Sequence, residues 1–241
     1  MQIFLYLCGK IVRNMYWMLI AALLPAIFLG FYIWRQDAQP EPARWLIRAF
    51  LAGVTLCVPV AFVEQYVSGL LFANGSPTTL LGTTVEAFFV AAIPEESAKL
   101  LALWLILRKN PYFDERFDGI VYAVFVGLGF AAIENVAYVL QSGEGWATVA
   151  IMRALLAVPG HYAFAILMGY YYTMYHFVER TPLNAVKILL VPVLAHGVYD
   201  AIAMSGSVDP VAGGISFVVL IYFCIKLQKA AQRKVRDLVQ S

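Results

Sequence analysis

The sequence predicts an all-α, polytopic transmembrane bundle of about seven spans, and three observations predict it. Apolar residues make up 62% of the chain and charged residues only 13%, too little charge to cover a soluble domain of 241 residues. The mean hydropathy is +0.76. The apolar residues also gather into seven runs of roughly the ~20 residues that a helix needs to cross a bilayer.

Residues 16–34 form the first run. It is too long for a cleaved signal peptide and lacks an AxA site, so a retained anchor is expected, preceded by a stretch too short to span alone. The second run, 45–73, and the third, 79–107, are long enough to tilt, kink or break. In the third, Pro94 directly precedes Glu95 and Glu96. Proline removes a backbone donor and crowds the preceding turn, which predicts a kinked or broken helix there. The fourth run, 118–140, contains Gly127 and Gly129, small residues that let a neighbouring backbone approach. The fifth, 146–177, is interrupted by Pro159-Gly160 directly before His161, so it too should kink or break. The sixth and seventh are 184–204 and 210–226. Connections such as "RQDAQPEPAR" and "ERTP" are short and no internal repeat is present, which predicts one integral-membrane domain, 1–241, with its motif-bearing core at about 79–204.

Lysines and arginines cluster in alternate connections: Arg35 and Arg44, then Arg108, Lys109 and Arg116, then Arg180, then Lys229 to Arg236 in the tail. The positive-inside rule places that set, and the C-terminus, in the cytoplasm, with a bacterial plasma (inner) membrane as the expected location. With seven spans the N-terminus is then outside, against the local vote of Lys10 and Arg13. The charges behind the formal net charge of +2 are few and scattered and say nothing about nucleic acid. Cys8, Cys57 and Cys224 are far apart in or near apolar runs and read as packing residues.

Against this apolar background the polar residues stand out. Glu95, Glu96 and Lys99 lie in the third run, Glu134 in the fourth, His161 in the fifth, and His196 with Asp200 in the sixth. An ionisable group facing hydrocarbon costs several kcal/mol, roughly 2.5–3.5 on insertion scales, so these groups must point into the bundle. Glu95 and Lys99, and likewise His196 and Asp200, are four residues apart and share a helical face. Taken singly, each has a structural explanation as a register-fixing ion pair or a satisfied hydrogen bond. Taken together, four consecutive spans supply carboxylates and imidazoles at one depth. A carboxylate beside an imidazole can deprotonate water and return the proton to a leaving group. The same residue types form hydrolytic zinc sites. Glu64, Glu86 and Arg153 fall toward the outer ends of their spans and are expected to neutralise one another, while His176 reads as interfacial.

"PEESAK", "FDGIVYAVFVGLGFAAIEN", His161 and "HGVYD" together resemble the PrsW family of intramembrane proteases, whose motif layout is similar to that of the CAAX-processing and bacteriocin-processing membrane endopeptidases. The resemblance runs from about residue 85 to 203, with Phe130 and Glu134 matching its second motif and His196 and Asp200 its third. It implies a peptidase that cuts membrane-anchored proteins; a membrane-anchored protein substrate and the lipid bilayer are the expected partners, and no nucleic acid. The family's best-known role is the first cut of an anti-sigma factor, a substrate that nothing in these residues encodes. It implies two mechanisms: a metal, zinc being the expected ion, on Glu134, His161 and His196 with Glu95 or Glu96 as base, or a metal-free site in which His196, oriented by Asp200, polarises the carbonyl. Lys99 supports the glutamates in either. A proton-coupled transporter is the alternative, with a non-catalytic scaffold as a third class. From ~1.5 Å of rise per residue, Glu95, Glu134, His196 and Asp200 fall roughly 18–24 Å above the cytoplasmic helix ends, which places the site at or just outside the midplane, with cleavage expected at the substrate's outer membrane boundary.

Overall fold

The computed structural model describes residues 2–73, 75–208 and 210–239, with side chains from residue 14 onward except at 210–212. The side chains of Cys8, Lys10 and Arg13 lie outside the described residues. The described residues form seven helical columns and no strand: α1 (Gln2–Trp34), α2 (Ala43–Phe72), α3 (80–107), α4 (Asp118–Gln141), α5 (146–178), α6 (Pro182–Ser205) and α7 (Pro210–Val239). Six of them are long and apolar enough to cross a membrane. The exception is α3, whose length suffices but which carries Glu86, Glu95, Glu96 and Lys99. The protein is an integral-membrane helix bundle.

The ends of the columns follow local chemistry. Thr79 starts α3 by accepting the Gly82 amide at 3.0 Å, and Thr181 starts α6 by accepting the Asn184 amide at 3.2 Å, with Pro182 in the first turn where its missing N–H costs nothing. The chain leaves α2 through Ala73 in the left-handed conformation (φ 47°).

The expected breaks at Pro94 and Pro159 take a different form, for neither column is interrupted. Each widens into a π-helical stretch just before its proline, Glu86–Ala92 in α3 and Arg153–Ala157 in α5. In both, the residue that leaves the wide turn bonds five positions back: Ile93 N–H to the Phe88 carbonyl, and Val158 N–H to the Arg153 carbonyl. A proline ring clashes with the carbonyl four residues back, and the extra residue in a π turn makes room for it. Burial records the resulting slip in phase. In α3, Thr83, Ala87 and Val90 face the bundle. An uninterrupted α-helix would continue that face through Ser97 and Leu101, yet Leu101 is half exposed and the buried set is Glu95, Glu96, Lys99, Ala102 and Leu103.

Helix α4 is the axis of the bundle. Of its apolar window 72% is buried, against 22% for α1 and α2 and 17% for α7, which present their outer faces to lipid. Close packing around it depends on glycine. A β-carbon on Gly53 of α2 would overlap the α4 backbone at Val126, and one on Gly129 of α4 would overlap the Phe50 carbonyl of α2, so the two helices meet backbone to backbone. Gly127 faces Ala165 and the His161 carbonyl of α5. Cys57 and Cys224 are free thiols, Cys57 half-buried and Cys224 in the core.

Candidate active site

Four helices aim polar side chains at one point. The α3 segment that follows its π turn presents Glu95, Glu96 and Lys99 to the interior, all three buried. The Lys99 ammonium donates to Glu95 Oε2 and to Glu96 Oε1, both at 2.8 Å, and stands 3.1 Å from His161 Nδ1. It also lies 4.4 Å above the Phe130 ring, a cation–π contact. His161, one turn beyond the π stretch of α5, places Nε2 2.8 Å from Glu134 Oε2 on α4. His196 of α6 bridges two acids, with Nδ1 2.8 Å from Glu96 Oε1 and Nε2 3.1 Å from Asp200 Oδ2. Its ring stacks on Phe164 at 4.7 Å, and the two imidazole centroids are 5.3 Å apart. The i,i+4 pairs Glu95–Lys99 and His196–Asp200 expected from spacing are both formed.

Arg153 departs from expectation. It pairs with neither Glu64 nor Glu86; the π turn that begins at Arg153 brings it to α4, where Nη2 is 2.9 Å from Glu134 Oε2 and Nε donates to Asn135 Oδ1 at 2.8 Å. Asn135 in turn donates to the Ala22 carbonyl of α1 at 2.7 Å, so Glu134 is braced from α1 through α5. Glu64 and Glu86 instead line the wall of a cavity of about 640 Å³. Glu95, Glu134, His161, His196 and Asp200 are on its surface, and it extends to Gln141 and Met204 at the ends of α4 and α6. Glu96 and Lys99 sit behind that surface, Glu96 with no exposed area. His176 lies elsewhere, near the end of α5 among Phe113 and Phe177.

Charge within this network is unbalanced. Four carboxylates, Glu95, Glu96, Glu134 and Asp200, face one ammonium and one guanidinium, which leaves two negative charges when the imidazoles are neutral. Two imidazolium ions or one divalent cation would neutralise them. The donor geometry fits a metal at one place. Glu95, Glu96 and His161 each offer a ligand atom within 4.8 Å of the others, and Glu96 Oε2 is buried with no hydrogen-bond partner. His161 turns Nδ1 toward the glutamates while Glu134 holds its other nitrogen, the arrangement by which an outer carboxylate orients a metal-binding imidazole. Lys99 Nζ occupies the convergence point of the three donors and must turn aside for an ion to enter. Glu134, His161 and His196 are strung along a chain of contacts, with His196 joined to the others through Glu96 and Lys99.

Sequence reasoning located each of these acids and imidazoles but did not anticipate Arg153 as a support of Glu134. A signal was present: Arg153 is six residues before Pro159, in the stretch the proline disturbs.

Comparison with known proteins agrees with the motif pattern. Residues 41–227 match the family described as PrsW family intramembrane metalloprotease. The chain is similar to Protease PrsW of Geobacillus kaustophilus (strain HTA426), 37% identical over 188 residues, covering 77% of this chain and 79% of that protein. It is similar to Protease PrsW of Clostridioides difficile (strain 630), at 36% over 188 residues, 76% of this chain and 77% of that protein. Protease PrsW of Bacillus subtilis (strain 168) is 35% identical over 185 residues, 76% of this chain and 80% of that protein. No solved structure matches.

Proposed function

The chain belongs to the PrsW family and is an intramembrane protease; from that premise we propose that it hydrolyses peptide bonds of membrane-anchored proteins at their extracytoplasmic boundary, using the network around Lys99. The observation that carries this reading is the cavity that reaches the buried acids and imidazoles from the Gln141 and Met204 ends of α4 and α6. Those ends are opposite the arginine-bearing connections at Arg108 and Arg180, so the positive-inside rule makes the opening extracytoplasmic, with the C-terminus in the cytoplasm of a bacterial plasma membrane.

Each residue has a role set by its place. Glu95, on the cavity wall, takes a proton from the attacking water and returns it to the departing amine. Glu96, behind the wall, anchors Lys99 and His196 Nδ1. Glu134, braced by Arg153, fixes His161. His196, oriented by Asp200 at 3.1 Å from Nε2, polarises the carbonyl, its Nε2–H turning from Asp200 to the carbonyl oxygen as negative charge develops there. Lys99 pairs with both glutamates and stands in for a cation between them. Glu95, Glu96 and His161 are the residues that would hold a divalent metal such as zinc, and a carboxylate that binds through one oxygen keeps the other for the proton. When bound, the metal supplies Lewis acidity, polarising the carbonyl and acidifying water.

The test is the position of the cut. Mass spectrometry of a cleaved single-span substrate should place the new terminus at or just outside its outer membrane boundary. A cut in the cytoplasmic juxtamembrane segment would overturn the orientation.

A further inference from the structure

A second group of buried acids lies far from the cavity, at the end of the bundle where α1 passes into α2 and α4 begins. Asp37 and Glu41 belong to the α1–α2 connection, and Asp118 is the first residue of α4. All three are buried, with exposures of 7%, 6% and 1%. One carboxylate oxygen of each lies within 4.8 Å of the others. Asp118 Oδ2 accepts the amides of Asp114 at 3.0 Å and Glu115 at 2.7 Å, while Asp37 Oδ1 accepts the Gln39 amide at 3.0 Å. Glu41 accepts the hydroxyl of the fully buried Tyr122. Two oxygens remain without a donor, Asp37 Oδ2 and Asp118 Oδ1, both buried, and Glu41 is the side-chain neighbour of Asp118.

Cations do not account for this arrangement. Among the described residues no lysine, arginine or histidine forms an ion pair with any of the three. Adjacent buried carboxylates repel, and unpartnered buried acceptors carry an uncompensated desolvation cost.

We propose that Asp37, Glu41 and Asp118 form a binding site for a hard divalent cation, calcium or magnesium. The ligand chemistry is all oxygen, which suits those ions and disfavours zinc. Ligands 2.3–2.6 Å from a calcium ion can be no more than about 5 Å apart, and the cluster meets that limit. A cleft of about 310 Å³ lined by Gln36, Asp37, Glu115 and Arg116 gives an ion a path to Asp37. A bound ion ties the α1–α2 connection to the start of α4, the helix that carries Glu134 farther along. This site is independent of the protease reading.

The experiment uses the full chain, purified in detergent, chelated and dialysed, with calcium or magnesium chloride added back. Wild-type protein should bind one calcium or magnesium ion that survives His161→Ala and His196→Ala, and its thermal midpoint should rise by several degrees on addition. Asp118→Asn retains an oxygen for the Asp114 and Glu115 amides, so it should fold yet lose the ion and the rise; Asp37→Asn should do the same. An equal rise in wild type and both variants would assign the ion to another place and overturn the proposal. A midpoint that ignores both ions but climbs as the pH is lowered would also overturn it, because shared protons would then be neutralising the acids.

Discussion

The bundle buries two sets of carboxylates in opposite ways. At its middle, Glu95, Glu96, Glu134 and Asp200 are each met by a fixed cation or an imidazole, and a single ammonium, Lys99, touches three of the groups that matter. At its end, Asp37, Glu41 and Asp118 are met by backbone amides and one phenol, with two oxygens left over. The difference lies in what each set can do without help. The mid-bundle set carries two fixed cations of its own and opens onto a cavity. The end set, reached through a cleft at Asp37, is short of positive charge and suited to holding an ion still.

The most forceful way to break this contrast is to neutralise one acid in the middle. Glu95→Gln should lower cleavage of a membrane-anchored substrate by about 10²–10⁴-fold while insertion stays intact, because a base is lost but no new charge is buried. Glu96→Gln should be comparably inactive through loss of the negative charge that Lys99 and His196 both face. Full activity in both would remove the acids from the chemistry. His161→Ala and His196→Ala should likewise inactivate.

Lys99→Met asks how far the middle set depends on its ammonium. Removing one partner of a buried pair leaves uncompensated charge and costs about 3–5 kcal/mol, which denaturant unfolding in detergent would register. The same variant should retain zinc more tightly than wild type against a chelator, since the ammonium no longer occupies the convergence of Glu95, Glu96 and His161. Weaker retention would show that the ion binds elsewhere. The smallest effect belongs to His176→Ala, which should cleave within about twofold of wild type, its ring packing among Phe113 and Phe177 away from both sets. An inactive His176→Ala would misplace the site.

The two sets also differ in how well the sequence reveals them. Glu95, Glu96, Lys99, Glu134, His161, His196 and Asp200 stand in apolar runs, where each charge demands a reason, so the spans and the converging residues could be read together. What stayed hidden depends on rotation about helix axes. Whether Glu95 or Glu96 faces the cavity, and whether Arg153 reaches Glu134 or Glu86, is decided by π turns that hydropathy does not register. Asp37 and Glu41 are acids in a connection, where acids are ordinary, and Asp118 sits at a helix start, where an acid is favoured by the helix dipole. Nothing local distinguishes a buried acid in such places from a solvated one.

The wide turn of α3 has a consequence for length as distinct from composition. The segment 86–92 turns only about as far as an ordinary α-helix one residue shorter, so one residue is absorbed without rotation. Were the same residues wound as an uninterrupted α-helix, a hydropathy profile would not change at all, yet every side chain after the turn would swing by about 100° about the axis. Glu95, Glu96 and Lys99 would then turn out of the interior, where facing hydrocarbon costs several kcal/mol for each. Deleting one residue from 86–92 should therefore let α3 straighten with its acids still facing inward, whereas inserting one should leave a helix that spans the membrane with its acids in the wrong direction.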